Sequence, residues 1–468
     1  MAGPEDAPTS CFGNLFSAFR KNKQRPVTRA QQSTTRAAPS TAAPAYSEKL
    51  PAYEECMSQA MEQLDVKTDT EAENIVHSAI DKISTELREI SLDLHSHMET
   101  GMEEYHAHDL MTDYLEKKGF TVTRHAYGME TAFTAEYSRG EGKRVGFCSE
   151  YDGLPGLGQG CGHNLIAISG LAAAVGLKAL LENGRASGKV ILFGTPAEEL
   201  SIGKIILVQK EAFQKTVDVC LMLHPAAYHA DKAGMIAVND VHVRFYGKAS
   251  HASAAPWEGV NALDAMVQLW NNISMMRQQL MPTDRVHGVV EDGGKAPNVI
   301  PDYTSAFFFI RTTKYQQIGR LMEKMEACFN AAALATGCKV EWTWRPIGVT
   351  KDVVQNSVFA ANYVKHMKKF GVEFLSHAEQ EKAAGGSTDF GNTSYVVPSI
   401  HPMYGIHTDA ANHTIEFTAA ARTPQAHEDT IIASKCISMT GAQVLLDDAF
   451  YQAVKADWEK TVPPEERH

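Results

Sequence analysis

The sequence lacks features that are typical of several large protein classes. It has no apolar run of about 18 or more residues, so we expect no membrane span. It has no excess of basic residues either, because its formal net charge is −12, which argues against a nucleic-acid partner. The start, MAGPEDAP, is acidic and no long apolar segment follows it, which argues against a secretory signal. The eight cysteines have no regular spacing, so we predict reduced thiols and a cytoplasmic location.

The length and composition are those of a globular protein with room for more than one core. The chain has 468 residues, of which 44% are hydrophobic and 21% are charged, so we expect two or three domains. Residues 1–48 are rich in proline, alanine, serine and threonine, a composition that predicts a disordered tail. Within this tail, CFGNLFSAF has the character of a short docking helix.

Beyond the tail, the pattern is that of an α/β domain. The segment AENIVHSAIDKISTELREISLDLHSH predicts an amphipathic helix, because its apolar residues recur at spacings of three and four. Those positions are Val76, Ile80, Ile83, Leu87 and Ile90. Short strands then alternate with helices, which indicates a mixed, largely parallel sheet. We assign residues 49–235 and 349–468 to this first domain.

Residues 236–348 carry a different pattern. Their apolar periodicity predicts the order β-α-β-β-α-β, which is typical of a small ferredoxin-like α+β domain. Because the first domain's pattern resumes afterwards, we predict that this unit is an insertion.

The stretch CSEYDGLPGLGQGCGHN, residues 148–164, allows two interpretations: a phosphate-binding turn or a loop of metal ligands. A dinucleotide-binding turn needs G-x-G-x-x-G and an acidic residue about 20 positions later. Here the third glycine position falls on Cys161 or His163, and the next strand ends without an acidic residue. The sequence also contains no G-x-x-x-x-G-K-[ST] motif. The phosphate interpretation is therefore poor.

The metal interpretation fits better, because three consecutive predicted strands end in ligand-type residues. Cys161 and His163 follow the first strand, the paired Glu198 and Glu199 follow the second, and His224 follows the third. The carboxyl ends of parallel strands meet at one edge of a sheet. Thiolate, imidazole and carboxylate are ligands that zinc accepts. In the glutamate pair, one residue could bind the metal while the other takes a proton from metal-bound water.

At these residues the sequence resembles the aminoacylase-1 and carnosinase superfamily of dinuclear metallo-amidohydrolases. It is most similar to the aminoacylase-1-like protein 2 group of β-alanyl-lysine type dipeptidases, which is related to aminobenzoyl-glutamate and auxin-conjugate amidohydrolases. The resemblance covers roughly residues 70–450. It rests on EYDGLPGLGQGCGHN, GTPAEE, MLHP, GKASHASAAPWEGVNALDA, RVHGVVEDGGKAPNVIPD, GGSTDFGNTSYVVPSIHP and DAANHT.

The resemblance implies a site with two divalent metal ions, for which we expect zinc, with manganese or cobalt as alternatives. The implied ligands are Cys161, His163, Glu199, His224 and His413. Glu198 matches the general base, and Asp152 matches a carboxylate that orients a ligand.

The resemblance also implies that the inserted domain is a lid and forms a homodimer. His251 matches a histidine that reaches across the dimer to the tetrahedral oxyanion. Asn298 and Arg311 are candidates for binding the substrate carbonyl and carboxylate, although Asn298 could be a turn residue and Arg311 could pair with a structural carboxylate. The implied pocket wall is Gly385, Gly386 and Ser387.

The sequence departs from the family pattern beside these residues. Gly153 stands where relatives have alanine, and Gln159 and Gly160 stand where they have His-Ala. After the glutamate pair, Leu200 and Ile202 lie in a segment where relatives commonly have glycines. These departures bear on substrate choice, because the ligands and the base are all retained.

We therefore predict a metal-dependent amidohydrolase or dipeptidase that cleaves a dipeptide or N-acyl amino acid through metal-activated water. One alternative is a biosynthetic enzyme of the same fold that forms or cleaves an amide. Another alternative is a catalytically silent scaffold. The expected partners are a small-molecule substrate and a second copy of the chain, with no nucleic acid and no membrane.

Overall fold

The computed structural model describes residues 69–200, 202–383 and 385–467. The predicted tail at 1–48, with its docking segment, lies outside the described residues. The helices are α1 (Thr70–Ser96), α2 (Tyr105–Lys117), α3 (His163–Asn183), α4 (Gly203–Gln209), α5 (Ala212–Thr216), α6 (Ala262–Met276), α7 (Ile318–Thr336), α8 (Ser357–Lys368), α9 (His377–Ala383), α10 (Phe390–Val396), α11 (Ile415–Ala420), α12 (Pro424–Leu446) and α13 (Asp448–Thr461). The strands are β1 (Thr121–Arg124), β2 (Phe133–Arg139), β3 (Arg144–Ser149), β4 (Gly188–Gly194), β5 (Val219–Leu221), β6 (His224–Ala226), β7 (Ala237–Tyr246), β8 (Arg285–Asp292), β9 (Tyr303–Thr312), β10 (Lys339–Trp344), β11 (Ser399–Ile400) and β12 (Met403–Gly405).

The larger sheet is mixed and largely parallel, as predicted. Its strand order is β1-β2-β4-β3-β5-β11. Strands β4, β3, β5 and β11 are parallel to one another. Strand β2 is antiparallel to both of its neighbours, β4 and the edge strand β1. The last strand, β11, pairs with β5 through Ser399 and Cys220. The chain beyond the second sheet therefore returns to complete the first.

Helices cover both faces of this sheet. Along β4, Val190 and Leu192 belong to one buried cluster, while Ile191 and Phe193 belong to another. Because successive side chains of a strand point to opposite faces, the alternation places a core on each side. On the first side, α3 packs against the sheet and is covered by α1 and α12. The predicted apolar stripe of α1 is buried in this core.

Helix α3 is apolar on nearly all sides. Among the described residues it is the one helix long and apolar enough to cross a membrane, yet 89% of its most apolar segment is buried inside the protein. A helix that is apolar all round belongs in a core. It therefore serves as the central core helix, and its first residue is His163.

The second sheet is antiparallel and has its own core. Its strand order is β10-β7-β9-β8, and helices α6 and α7 pack on one face. Its elements follow one another as β7, α6, β8, β9, α7 and β10, which is the predicted β-α-β-β-α-β order. Val243, Phe308 and Phe329 lie in its buried cluster. The fold class predicted from the sequence is thus confirmed.

Candidate metal centre

The candidate ligands lie at one edge of the larger sheet because its central strands are parallel. Strand β3 ends at Ser149, β4 ends at Gly194, and His224 follows β5 after two residues. In a parallel sheet these ends point the same way, so the segments that leave them meet at a common edge. The loop between β3 and α3 and the turn after β4 therefore face each other across a small buried space.

The glycine-rich loop turns sharply into α3. Gly162 has a positive φ of 78° and directly precedes the helix. A Cβ atom there would lie 2.8 Å from the Cγ of Pro225, so only glycine fits without displacement. The turn places Cys161 and His163 on either side of this glycine. The Nδ1 of His163 lies 3.1 Å from an oxygen of Asp152, which fixes the orientation of the imidazole.

The other predicted donors surround His163. Its Nε2 lies 3.8 Å from a carboxylate oxygen of Glu198 and 3.8 Å from one of Glu199. The Sγ of Cys161 lies 3.3 Å from the Nε2 of His224. The Nε2 of His413, whose side chain is 55% exposed, lies 3.7 Å from the other oxygen of Glu199. The structure therefore brings all five predicted ligands and the predicted base together.

The donor set fits two metal ions. Cys161, His163 and His224 form one group whose ligand atoms all lie within 4.8 Å of one another, and Cys161, Glu199 and His413 form a second. The two groups share the Cys161 sulfur. The Nε2 of His163 and the Oε1 of Glu199 are buried and have no hydrogen-bond partner within the described residues. Buried polar atoms are normally paired, so this arrangement is explained by a cation that they would bind.

The turn that carries the glutamate pair is held by two buried carboxylates. Ala197 has a positive φ of 58°, which is strained for a residue with a Cβ atom. Its backbone N–H donates to Glu104 at 2.7 Å, and the N–H of Glu199 donates to Asp152 at 2.9 Å. Asp152 thus positions His163 and Glu199 together. No sequence motif indicates Glu104, because only the fold brings the start of α2 to this turn.

Burial controls the charge of these groups. Burial raises the pKa of Glu198, and the nearby carboxylates of Glu150 and Glu199 raise it further. Burial likewise raises the pKa of the Cys161 thiol. Burial lowers the pKa of His224, so that its imidazole is neutral and able to act as a ligand. A cation that compensates the buried charge would favour the ionised thiolate and carboxylate.

A cavity of 510 Å³ opens from the metal donors toward the second sheet. Gly385, Gly386 and Ser387 line it. Arg311 also lines it, and its guanidinium donates to the hydroxyl of Ser387 at 3.0 Å. Of the described residues that line the cavity, only Glu198 carries a carboxylate besides the predicted ligand Glu199. The cavity therefore combines metal donors with two guanidinium groups, those of Arg311 and Arg345, among its lining residues.

His251 and Asn298 lie apart from this cavity in a single chain. Both are exposed, and neither is among the described residues that line the cavity. They do lie next to each other, because the N–H of Ala252 donates to the carbonyl oxygen of Asn298 at 3.0 Å. The structure thus places the segments that carry these two predicted residues side by side, away from the metal donors.

A second layer of charge behind the ligands is absent from the sequence-based predictions. The fully buried Lys204 contacts the carboxylates of Glu150 and Asp389, which are also fully buried. Glu150 in turn lies 3.6 Å from the Nε2 of His163. Lys204 lies five residues after Glu199, and no local motif marks it. Nothing in the local pattern indicates that Asp389 reaches the same place.

The departures from the family pattern have local explanations. Gln159 is buried, and its side-chain oxygen accepts the N–H of Asn164 at 3.1 Å, inside the first turn of α3. A Cβ atom at Gly153 would lie 2.3 Å from the Cγ of Met98, so the methionine fills the space of an alanine methyl group. Leu200 is 52% exposed. These residues therefore reshape the surroundings of the site without removing a ligand.

Comparison with known proteins finds relatives over most of the chain. A mouse Xaa-Arg dipeptidase is 42% identical over 391 residues, which cover 81% of this chain and 90% of that protein. A p-aminobenzoyl-glutamate hydrolase chain of Escherichia coli is 26% identical over 470 aligned positions, covering 84% and 96%. The peptidase dimerisation domain family matches residues 238–337. A Bacillus subtilis structure, described as a dinuclear metal-binding peptidase of the M20 family, has a TM-score of 0.59 at 20% identity, covering 78% and 99%.

Proposed function

The chain belongs to the M20 family of dipeptidases and amidohydrolases, and on that basis we propose that its edge-of-sheet site is a dinuclear, metal-dependent centre for amide hydrolysis. The enzyme class, a hydrolase of peptide or related amide bonds, follows from these relatives. The single observation that supports the metal centre best is the pair of donor groups that share Cys161. Cys161, His163, Glu199, His224 and His413 would hold the ions. Zinc is our first choice, with manganese or cobalt as alternatives.

The chain's own residues divide the chemistry between them. When bound, the ions would polarise the substrate carbonyl and lower the pKa of water. Glu198 faces the cavity but belongs to neither of the two donor groups that share Cys161. It would take the proton from the attacking water and pass it to the leaving amine, a role for which burial and a raised pKa suit a glutamate. Asp152 would hold His163 and the Glu199 backbone in place throughout.

The cavity wall supports a substrate with a free carboxylate. Arg311 presents its guanidinium to the cavity, with one hydrogen bond to Ser387. A guanidinium pairs with a carboxylate through parallel hydrogen bonds. We therefore propose that Arg311 binds the carboxylate of the leaving amino acid and that Gly386 bounds its backbone.

Two substrate classes are candidates. The name of the mouse relative points to dipeptides that end in arginine. The cavity itself offers apolar walls, including Met235, Phe309 and Met403. Its described lining contains no carboxylate beyond Glu198 and Glu199 to pair with a basic side chain. This observation favours dipeptides or N-acyl amino acids with a neutral leaving residue as the second candidate.

We also propose a homodimer in which the inserted unit of one subunit completes the site of the other. The match to a peptidase dimerisation domain supports the dimer. The exposure of His251 and Asn298 supports the exchange, because both are available to a partner. In that arrangement His251 would stabilise the oxyanion and Asn298 would bind the substrate carbonyl. The cytoplasmic location stays a prediction.

The test is amine release from a panel of dipeptides and N-acyl amino acids with basic, neutral and acidic leaving residues, with added zinc, manganese or cobalt. Wild type is compared with Glu198→Gln, which keeps the shape of the side chain. Glu211→Gln is the matched control, since Glu211 is an exposed glutamate of the same domain. We expect turnover of one substrate class, a loss of about 10²- to 10⁴-fold in the turnover rate of Glu198→Gln and no loss in the control.

Net condensation would instead support the biosynthetic alternative. Folded protein that binds no metal and turns over no substrate would support the silent scaffold.

A further inference from the structure

A cluster of two histidines and one aspartate lies on the surface where α1 ends and α2 begins. Asp93 is in the last turn of α1, His97 directly follows that helix, and His106 is in the first turn of α2. One ligand atom from each residue lies within 4.8 Å of the other two. Among the described residues, every other group of this kind includes Cys161 or His163. The cluster is therefore separate from the metal centre.

Asp93 joins the two histidines through a single oxygen atom. The Nε2 of His106 is hydrogen-bonded to the Oδ1 of Asp93. The Nδ1 of His97 lies 3.4 Å from the same oxygen, and the centres of the two imidazole rings are 5.0 Å apart. Two ligands of one tetrahedral zinc ion lie about 3.4 Å apart, given bonds of about 2.1 Å. The three side chains therefore lie close to the spacing that one zinc ion needs.

The backbone holds both histidines in place. The N–H of His97 donates to the carbonyl oxygen of Asp93 at 2.9 Å, which fixes the direction in which the chain leaves α1. The carboxylate of Glu99 accepts the N–H of His106 at 2.9 Å and that of Ala107 at 3.0 Å, which fixes the start of α2. Ligands on constrained backbone lose less freedom when an ion binds, so the cluster is preorganised for one.

The charges around the cluster favour a cation. Asp93 lies at the C-terminal end of α1, where the helix dipole is negative and a carboxylate is unfavourable without a positive partner. The side chains of His97 and His106 are 62% and 44% exposed, so that an ion can reach them from solvent. Three protein ligands leave one position of a tetrahedral ion for water. A divalent cation would therefore be stabilised by the carboxylate and by the end of the helix together.

We propose that Asp93, His97 and His106 form a further divalent-cation site that ties the end of α1 to the start of α2. Two imidazoles and one carboxylate are a ligand set that suits zinc. The ion takes the place of the proton that His106 shares with Asp93, and this proton is released to water. The inference does not rest on the proposed function, because none of the three residues belongs to the metal centre.

The segment between the two histidines supports both loops of the metal centre. The carbonyl oxygen of Glu99 accepts the N–H of Gly153 at 2.8 Å, in the glycine-rich loop. The carboxylate of Glu104 accepts the N–H of Ala197 at 2.7 Å, in the turn that carries the glutamate pair. An ion held from both ends of this segment closes it into a ring and opposes its local opening. The site would thus act as a clamp on the support of the metal centre.

The experiment measures zinc content per chain for wild type, His97→Gln and His106→Gln. The proteins are dialysed against buffers of fixed free zinc and their metal content is determined by mass spectrometry. His407→Gln is the matched control, because His407 is an exposed histidine 2.7 Å from Asp429 that belongs to no group of three ligands among the described residues. Hydrogen exchange of residues 98–104 is measured with and without zinc in all four proteins.

We expect His97→Gln and His106→Gln each to take up about one zinc ion per chain fewer than wild type, and the control to match wild type. Zinc should slow hydrogen exchange of residues 98–104 more in wild type than in these two variants. Equal zinc content in wild type and both variants would overturn the proposal. An equal loss in the control would overturn it too, because zinc would then bind exposed histidines without selection.

The zinc content also separates this site from the metal centre. A wild-type protein that binds about one ion, lost in both variants, would support the surface site and contradict the dinuclear centre of the proposed function. Wild type and variants that all bind about two ions would support the dinuclear centre and overturn the surface site. Exchange that zinc slows equally in all four proteins would overturn the clamp.

Discussion

The two parts of the candidate site differ in how much of their chemistry one chain supplies. At the edge of the larger sheet, Cys161, His163 and His224 are buried and lie within reach of one another. In segments that connect elements of the second sheet, His251 and Asn298 are exposed and lie outside the cavity that the described residues form. The buried part is therefore fixed by the core of a single chain, whereas the exposed part would be completed by the partner subunit that we propose.

The difference follows from what holds each residue. The buried donors sit on strand ends and on the first turn of α3, and carboxylates such as Asp152 fix them further. His251 instead sits in the segment that follows β7, where its ring accepts local N–H groups from Ser253 and Ala254. A preorganised centre can thus be combined with a second part that a partner shares. Substitutions of the buried donors and substitutions of the exposed residues should therefore change different measured properties of the protein.

The largest effect is expected when the buried part is broken at His163. His163→Ala removes a ligand and leaves Asp152, Glu150 and the glutamate pair without the imidazole that separates them. We expect more than about 100-fold weaker binding of one ion, since even outer partners of metal ligands contribute about 10- to 100-fold. Metal content by mass spectrometry and turnover should fall together.

The matched control for this variant is His427→Ala. His427 is also a buried histidine, but its ring bonds to Ser84 in the helical layer. It should keep both metal ions. Equal metal loss in the two variants would mean that folding, and not ligation, had been disturbed.

A smaller effect is expected at Arg311, which lies on the second sheet yet lines the cavity. Arg311→Met should raise KM for substrates with a free carboxylate and lower kcat/KM by about 10- to 100-fold, because a charge-assisted bond to the substrate is lost. Substrates with an amidated carboxyl group should be turned over equally by both proteins. Arg320→Met, which breaks a bond to Asp284 on the same unit, is the control. Equal losses on both kinds of substrate would argue against carboxylate binding.

The pH dependence of the free energy of unfolding should show the contribution of Glu104, which holds the turn that carries Glu198 and Glu199. Burial raises the pKa of Glu104 from 4.5 to about 7. Because the folded state then holds the proton more tightly than the unfolded state, this contribution is full below pH 4.5 and is lost as the pH rises through about 7. Its size is ~3 kcal/mol. Denaturant titrations of Glu104→Gln should therefore show a flatter stability profile between about pH 5 and pH 8. A profile parallel to that of wild type would contradict this assignment.

The smallest effect is expected in the loop before Cys161. Gly153→Ala should lower the free energy of unfolding by ~1–3 kcal/mol, because its methyl group overlaps Met98. In the double variant with Met98→Ala the loss should be smaller, and a double-mutant cycle measures that difference. Additive effects of the two changes would show that they do not share this space.

The sequence predicted the elements whose pattern is local or whose neighbours are set by sheet topology. The stripe of α1 is predictable because its apolar spacing is helical, and Cys161, Glu199 and His224 meet because parallel strands end together. The buried charges behind the ligands were not predictable, since Asp389 and its partner Lys204 are 185 positions apart in the chain. Contacts of that kind depend on how α4 and α10 pack, which no local pattern encodes.

Whether His251 acts in the site of the partner subunit is tested most directly by a heterodimer that carries Glu198→Gln in one subunit and His251→Ala in the other. Its hydrolytic activity is the quantity to measure. The two chains are co-expressed with different tags and purified through both. If His251 acts across a two-fold dimer, one of the two sites is intact, and the heterodimer should have roughly half the activity of wild type. Both parent homodimers should be almost inactive. A heterodimer no more active than its parents would contradict the account.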